Sequence, residues 1–139
     1  MTAIAVTAAN VSPAYPQESE ILTVKLAEAV TAGQTAYQLT AGTFGLADAN
    51  ASGKQQFRGI FLQAGAAGDY VAMLKRGYLY GFTVSGLNAD AVLYLSDTAG
   101  ALDDAAGTMT VVCGRVFMLP DATPTRIVYI DAQWAQIWS

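Results

Sequence analysis

Between residues 57 and 96 the sequence FRGIFLQAGAAGDYVAMLKRGYLYGFTVSGLNADAVLYLS breaks into short β-type runs. They fall at 58–63, 70–75, 78–84 and 92–95, and Gly-rich or Asn/Asp-containing punctuation separates them. Runs of this length and spacing predict an antiparallel sheet that closes on itself or packs on a second sheet. The same stretch holds no cluster of side chains able to do chemistry.

The flanking sequence continues the pattern. Residues 21–26, 36–39 and 44–47 read as strands, with turns at Thr31-Ala-Gly-Gln and Ala41-Gly-Thr and a loop at Asn50-Ala-Ser-Gly-Lys. Gly65-Ala-Ala-Gly-Asp joins two central strands. A long small-residue loop at 96–107 leads into 108–119, read as the longest strand. Pro120-Asp-Ala-Thr-Pro then turns the chain into 126–131. Strict alternation puts Tyr78, Tyr80, Phe82 and Val84 on one face, the expected main core, and Leu79, Gly81 and Thr83 on the other. It likewise groups Met109, Val111, Cys113, Arg115 and Phe117. Lys75-Arg76 reads as a charged turn. Gly59, Gly77, Gly81 and Gly114 lie in or beside strands, where glycine marks bulges, corners or close backbone approach. The expected fold is therefore all-β: a small antiparallel β-barrel, or a strongly curved β-sandwich, over residues 20–131.

Both chain ends carry apolar side chains outside that body. Residues 1–19 form an extended N-terminal arm whose segment 2–7 alternates, with Ile4 and Val6 on one side, before Pro13 and Pro16 interrupt any ladder. The arm either adds as a strand to an exposed sheet edge of a neighbour or frays. Residues 132–139 form a tail in which Trp134 and Trp138 share a face in helix or strand alike. They either anchor an interface or fold back over an open barrel end. Ile4, Val6, Val11, Tyr15, Trp134, Ile137 and Trp138 are the candidate contacts with other chains.

Composition narrows the function. Seven basic and eleven acidic residues make 13% of the chain, against about 25% in ordinary soluble domains. Over a folded surface of about 6,900 Å² that is roughly one charge per 380 Å², as expected where partner chains cover the exterior. A net charge of −4 argues against nucleic acid, which demands a basic stripe. No apolar run approaches the ~18–20 residues of a membrane-spanning helix, and the first twenty residues lack the basic and apolar regions of a secretory signal. Synthesis in the cytosol without membrane association is the expectation.

The chain has no histidine and one cysteine, so the commonest general base and any multi-thiolate metal site are missing. Cys113 in its alternating strand reads as a small buried hydrophobe. Asp97, Asp103 and Asp104 read as a solvated acidic loop and match a calcium loop poorly. No serine sits in a G-x-S-x-G elbow, and the Gly-rich turns lack the Lys-Ser/Thr of a phosphate cradle. The reading is a non-enzyme without cofactor or metal.

One ordered succession adds to this. Thr31-Ala-Gly-Gln-Thr-Ala-Tyr, Phe57-Arg-Gly-Ile, Ala67-Gly-Asp, Leu74-Lys-Arg-Gly, Gly81-Phe, Gly86-Leu-Asn-Ala-Asp, Leu93-Tyr-Leu-Ser-Asp, Gly100-Ala-Leu and Gly114-Arg-Val follow one another across about residues 31–118. The succession resembles small β-barrel proteins encoded beside the major capsid gene of tailed phages, the capsid decoration (cement) proteins. That resemblance implies a homotrimer on the outer capsid surface of the virion, at three-fold or quasi-three-fold positions, bracing the major capsid protein. Modules of similar pattern also occur in head or tail fibres that bind a host receptor or glycan, which is the alternative.

Overall fold

The computed structural model describes residues 3–122 and 125–139. Thr2 of the alternating arm and Pro124 of the turn after residue 119 lie outside them. The described chain is all-β, with helical structure confined to 3₁₀ turns at Ala8–Asn10 and Pro16–Glu18. Its strands are β1 (Ser12–Pro13), β2 (Glu20–Lys25), β3 (Thr35–Gln38), β4 (Phe44–Leu46), β5 (Gly59–Phe61), β6 (Tyr70–Tyr80), β7 (Val92–Leu95), β8 (Leu102–Asp103), β9 (Val112–Met118) and β10 (Arg126–Asp131). All ladders are antiparallel and belong to one curled sheet of order β4-β3-β5-β6-β10-β9-β7-β8, with β1 and β2 also on β6.

β6 is the spine because its two edges are both used along its length. Leu74 lies between Ile21 of β2 and Ile60 of β5. Five residues on, Leu79 lies between Pro13 of β1 and Val128 of β10. The sheet thus forks around β6 and curls into two pockets of core. At one end, the bridge between Leu26 and Phe44, with Ala27 N–H donating to Phe44 O at 2.8 Å, ties the end of β2 to β4. Val24, Leu26, Val30, Ala36, Phe44, Phe61, Val71 and Met73 fill that end.

At the other end the arm does the closing. Ile4 N–H donates to Leu102 O, Thr7 N–H to Gly81 O, and Thr83 N–H to Ala5 O, at 2.8–2.9 Å. Residues 3–7 therefore span from β8 to the continuation of β6 and form part of the wall. The larger core behind them includes Phe57, Ile60, Leu74, Leu79, Val84, Leu93, Leu95, Cys113, Val128 and Ile130. Pro13, which lacks an N–H, ends the two-residue β1 at the sheet edge, where a missing donor is tolerated.

Three expectations need correction, and backbone irregularities explain each. Leu79 is fully buried and Tyr80 is 39% exposed, while Phe82 and Val84 are buried. The single face expected for Tyr78, Tyr80, Phe82 and Val84 is thus broken. The ladder ends at Tyr80, and Gly81 at φ +100° turns the pleat over before Phe82. Lys75-Arg76 is a ladder segment, so the runs 70–75 and 78–84 merge into the longest strand. Glu20 faces Arg76 and Ile21 faces Leu74, leaving Lys75 as the extra residue of a bulge. The 108–119 segment enters the ladder only at Val112. There Leu93 faces Gly114 and Tyr94 faces Val112, so Cys113 is extra. The slip puts Cys113 and Val116 inward and Arg115 out, since a one-residue shift exchanges faces.

Candidate contact surface

The seven residues singled out at the chain ends fall into two groups. Ile4 is buried in the larger core, and Val6 bridges to Phe82. Val11 lies against Gly81, where a Cβ would meet its backbone N and Cα at 2.9 Å, so glycine at 81 lets the arm lie flat. Tyr15 is half-buried, edge-on to Tyr78 at 5.1 Å between ring centroids, with Phe117 at 6.4 Å. Val6, Val11 and Tyr15 lie along the later half of β6 and its continuation, while Ile4 pairs with Leu102 of β8.

The tail packs against residues 55–58 instead. Trp134 Nε1 donates to Arg58 O at 2.8 Å, and its ring lies beneath the cations of Lys75 and Arg58. Burial draws the Arg58 pKa down from its ordinary value. The Trp138 carbonyl accepts from Gln55 Nε2 and Gln56 Nε2, and its N–H donates to Gln56 Oε1. Of the seven residues, Ile137 alone is a large hydrophobic exposed to solvent, at 80%.

Other exposed apolar groups lie where the sequence did not single them out. Ile21 and Leu22 on β2 are 45% and 38% exposed, and Tyr70 is 68% exposed. β2 makes one ladder, to β6, so among the described residues its outer edge is unpaired between Ile21 and Lys25. Two adjacent apolar residues in a strand cannot share one face. The Ile-Leu pair was the available signal of an edge exposed on both sides. Beside this edge Glu20 bridges Lys75 at 3.2 Å and Arg76 at 3.1 Å. These half-exposed pairs contribute little to stability.

The expected solvated acidic loop needs correction at Asp103, which lies buried in β8, where Ser96 Oγ and a backbone N–H offset the loss of water. Asp97 accepts from Thr108 N–H at 2.7 Å and Thr108 Oγ1 at 2.9 Å. Asp103 is buried, accepting from Ser96 Oγ at 3.0 Å and Ala105 N–H at 3.2 Å. Among the described residues no three His, Cys, Asp or Glu side chains gather as metal ligands do. Cys113 is fully buried, and desolvation pushes its thiol well above the ordinary range, which leaves it protonated and unreactive at neutral pH. Burial, then the Asp131 charge, also raises the Tyr129 pKa. A search for related family models, curated proteins and solved structures finds no match to this chain.

Proposed function

We propose that this chain is a non-enzymatic decoration protein of a phage capsid, seated as a homotrimer on the outer face of the head and bracing major capsid subunits. The observation that carries the reading is the unpaired β2 edge with Ile21 and Leu22 exposed beside it. An exposed apolar edge of this kind is a template for another chain, and soluble monomers usually blunt it. The low charge content and the exposed Ile137 agree with a surface that other chains cover. Docking would rest on apolar burial and strand addition.

The test is binding of the purified chain to expanded empty heads, imaged with and without it, alongside its mass in solution. Trimers that occupy three-fold positions are expected. Ile21→Thr with Leu22→Lys should abolish the association while the fold is retained. A chain that stays monomeric at high concentration and ignores heads overturns the proposal. A second reading, a fibre module that binds a receptor or glycan, is favoured by one feature: the exposed Tyr80 lines an open polar cleft.

A further inference from the structure

A cavity opens where the arm crosses the end of β6 and the start of β10. It holds about 600 Å³ and is lined by Thr7, Asn10, Ser12, Tyr80, Thr83 and Arg126 among others, within the size range of small-molecule sites. Two features separate it from an accidental groove. Its lining is rich in hydroxyl and amide groups around one half-exposed aromatic ring. Its one cation also lacks a counter-charge: Arg126 forms no ion pair among the described residues, and its Nε is buried without a hydrogen-bond acceptor. The other arginines have partners, Arg76 on Glu20, Arg115 on Asp90 and Arg58 on the Phe57 carbonyl. The nearby carboxylate of Asp121 is engaged by Thr125, which donates to it from both N–H and Oγ1.

Arg126 is the one cation on the lining, and no carboxylate among the described residues pairs with it, so the cleft favours an anionic ligand. The planar fork of arginine matches a carboxylate, which it holds through two parallel bonds. Around that anchor the hydroxyls and the Asn10 amide suit a ligand with several hydroxyl groups of its own, and the Tyr80 ring suits an apolar ring face. We infer that the cleft is a binding site for an acidic sugar, with the ligand carboxylate on Arg126 and the sugar ring against Tyr80. The site is separate from the β2 edge and stands whether or not the chain coats a capsid.

The test is a titration of the full chain followed at the Arg126 Nε–Hε resonance, with D-glucuronate as the probe and D-glucose, acetate and N-acetylaspartate as comparisons. Saturable movement of that resonance with glucuronate is expected, with each comparison compound binding at least about tenfold more weakly because it lacks the carboxylate or the hydroxylated ring. Arg126→Gln should abolish binding and Tyr80→Ala should weaken it. Arg126→Lys, which keeps the charge but not the fork, should also weaken it. If Arg126→Gln fails to fold, the wild-type titration still decides. No movement at tens of millimolar glucuronate overturns the inference. Equal binding of acetate or N-acetylaspartate does so too, since the site would then read only a carboxylate.

Discussion

Trp134 Nε1 donates to the carbonyl of Arg58, 76 residues earlier, at 2.8 Å. This bond fixes the C-terminal tail across the β5 side of the sheet. Phe44 lies on the same ring at 6.4 Å between centroids, and the Lys75 and Arg58 cations lie over it. A tryptophan uses its polar tip and its apolar body together here.

Replacing Trp134 by Phe keeps most of the packing and removes the donor. The expected loss is about 1 kcal/mol, the net value of one such bond. Trp134→Ala should cost more, about 2–3 kcal/mol, because the ring contacts go too. Urea midpoints of the two variants measure this, and equal stabilities for Phe and Ala would show that the hydrogen bond is the whole effect.

Gly114 allows β9 to approach β10. A Cβ there would overlap the Tyr129 carbonyl, which no rotamer change can relieve. Gly114→Ala should therefore destabilise by about 3 kcal/mol or more, at the upper end of single-substitution effects. Gly86, with open space around it and no unusual φ, is the control. Gly86→Ala is expected within about ±0.5 kcal/mol of wild type. Similar midpoints for both variants would contradict the close approach.

Residues 3–7 join β8 to the continuation of β6, so removing residues 1–7 should open one side of the sheet. The Thr83 amide, bonded to Ala5 O, is expected to lose its hydrogen-exchange protection. Amides in the β2–β6 ladder should keep theirs, because the smaller core at that end does not involve the arm. Continued protection of Thr83 in the shortened chain would mean that the arm is not part of the wall.

Much of this architecture was legible because the signal was local. Short β runs, Gly and Asn punctuation, and glycines inside strands pointed to a strongly curved antiparallel sheet, and Gly81 and Gly114 do mark the irregularities. What alternation could not give was the phase beyond each irregularity. Gly81 turns the pleat over after Tyr80, and Cys113 is an extra residue in its ladder, so the faces counted in twos across these two points do not hold. The same limit hid the Arg126 cleft. Its lining comes from three segments, 7–12, 80–83 and 125–127, and only pairing across the sheet brings them together. The arm reads as apolar and extended from its local pattern, but whether its partner is this chain or another depends on where β8 and β6 end, which no local pattern encodes.

Cys113 links the bulge in β9 to pH. Its thiol is fully buried, and desolvation holds its folded pKa well above the ordinary value of 9.0. The unfolded chain gives up this proton first, so the unfolded state binds fewer protons once the pH passes about 9. The contribution of the neutral buried thiol is thus complete below that pH and declines above it, by up to about 1.4 kcal/mol per pH unit until the folded thiol ionises. Tyr129, also raised, adds a loss of the same sign above its ordinary value of 10.0. Comparing wild type with Cys113→Ala isolates the thiol, because Tyr129 is common to both. The stability difference between them should be constant from pH 7 to about 8.5 and then shift in favour of the alanine variant as the pH rises. At pH 7.5 a thiol reagent should label Cys113 no faster than the chain opens. A pH-independent difference, or labelling within seconds under native conditions, would place the thiol in contact with water.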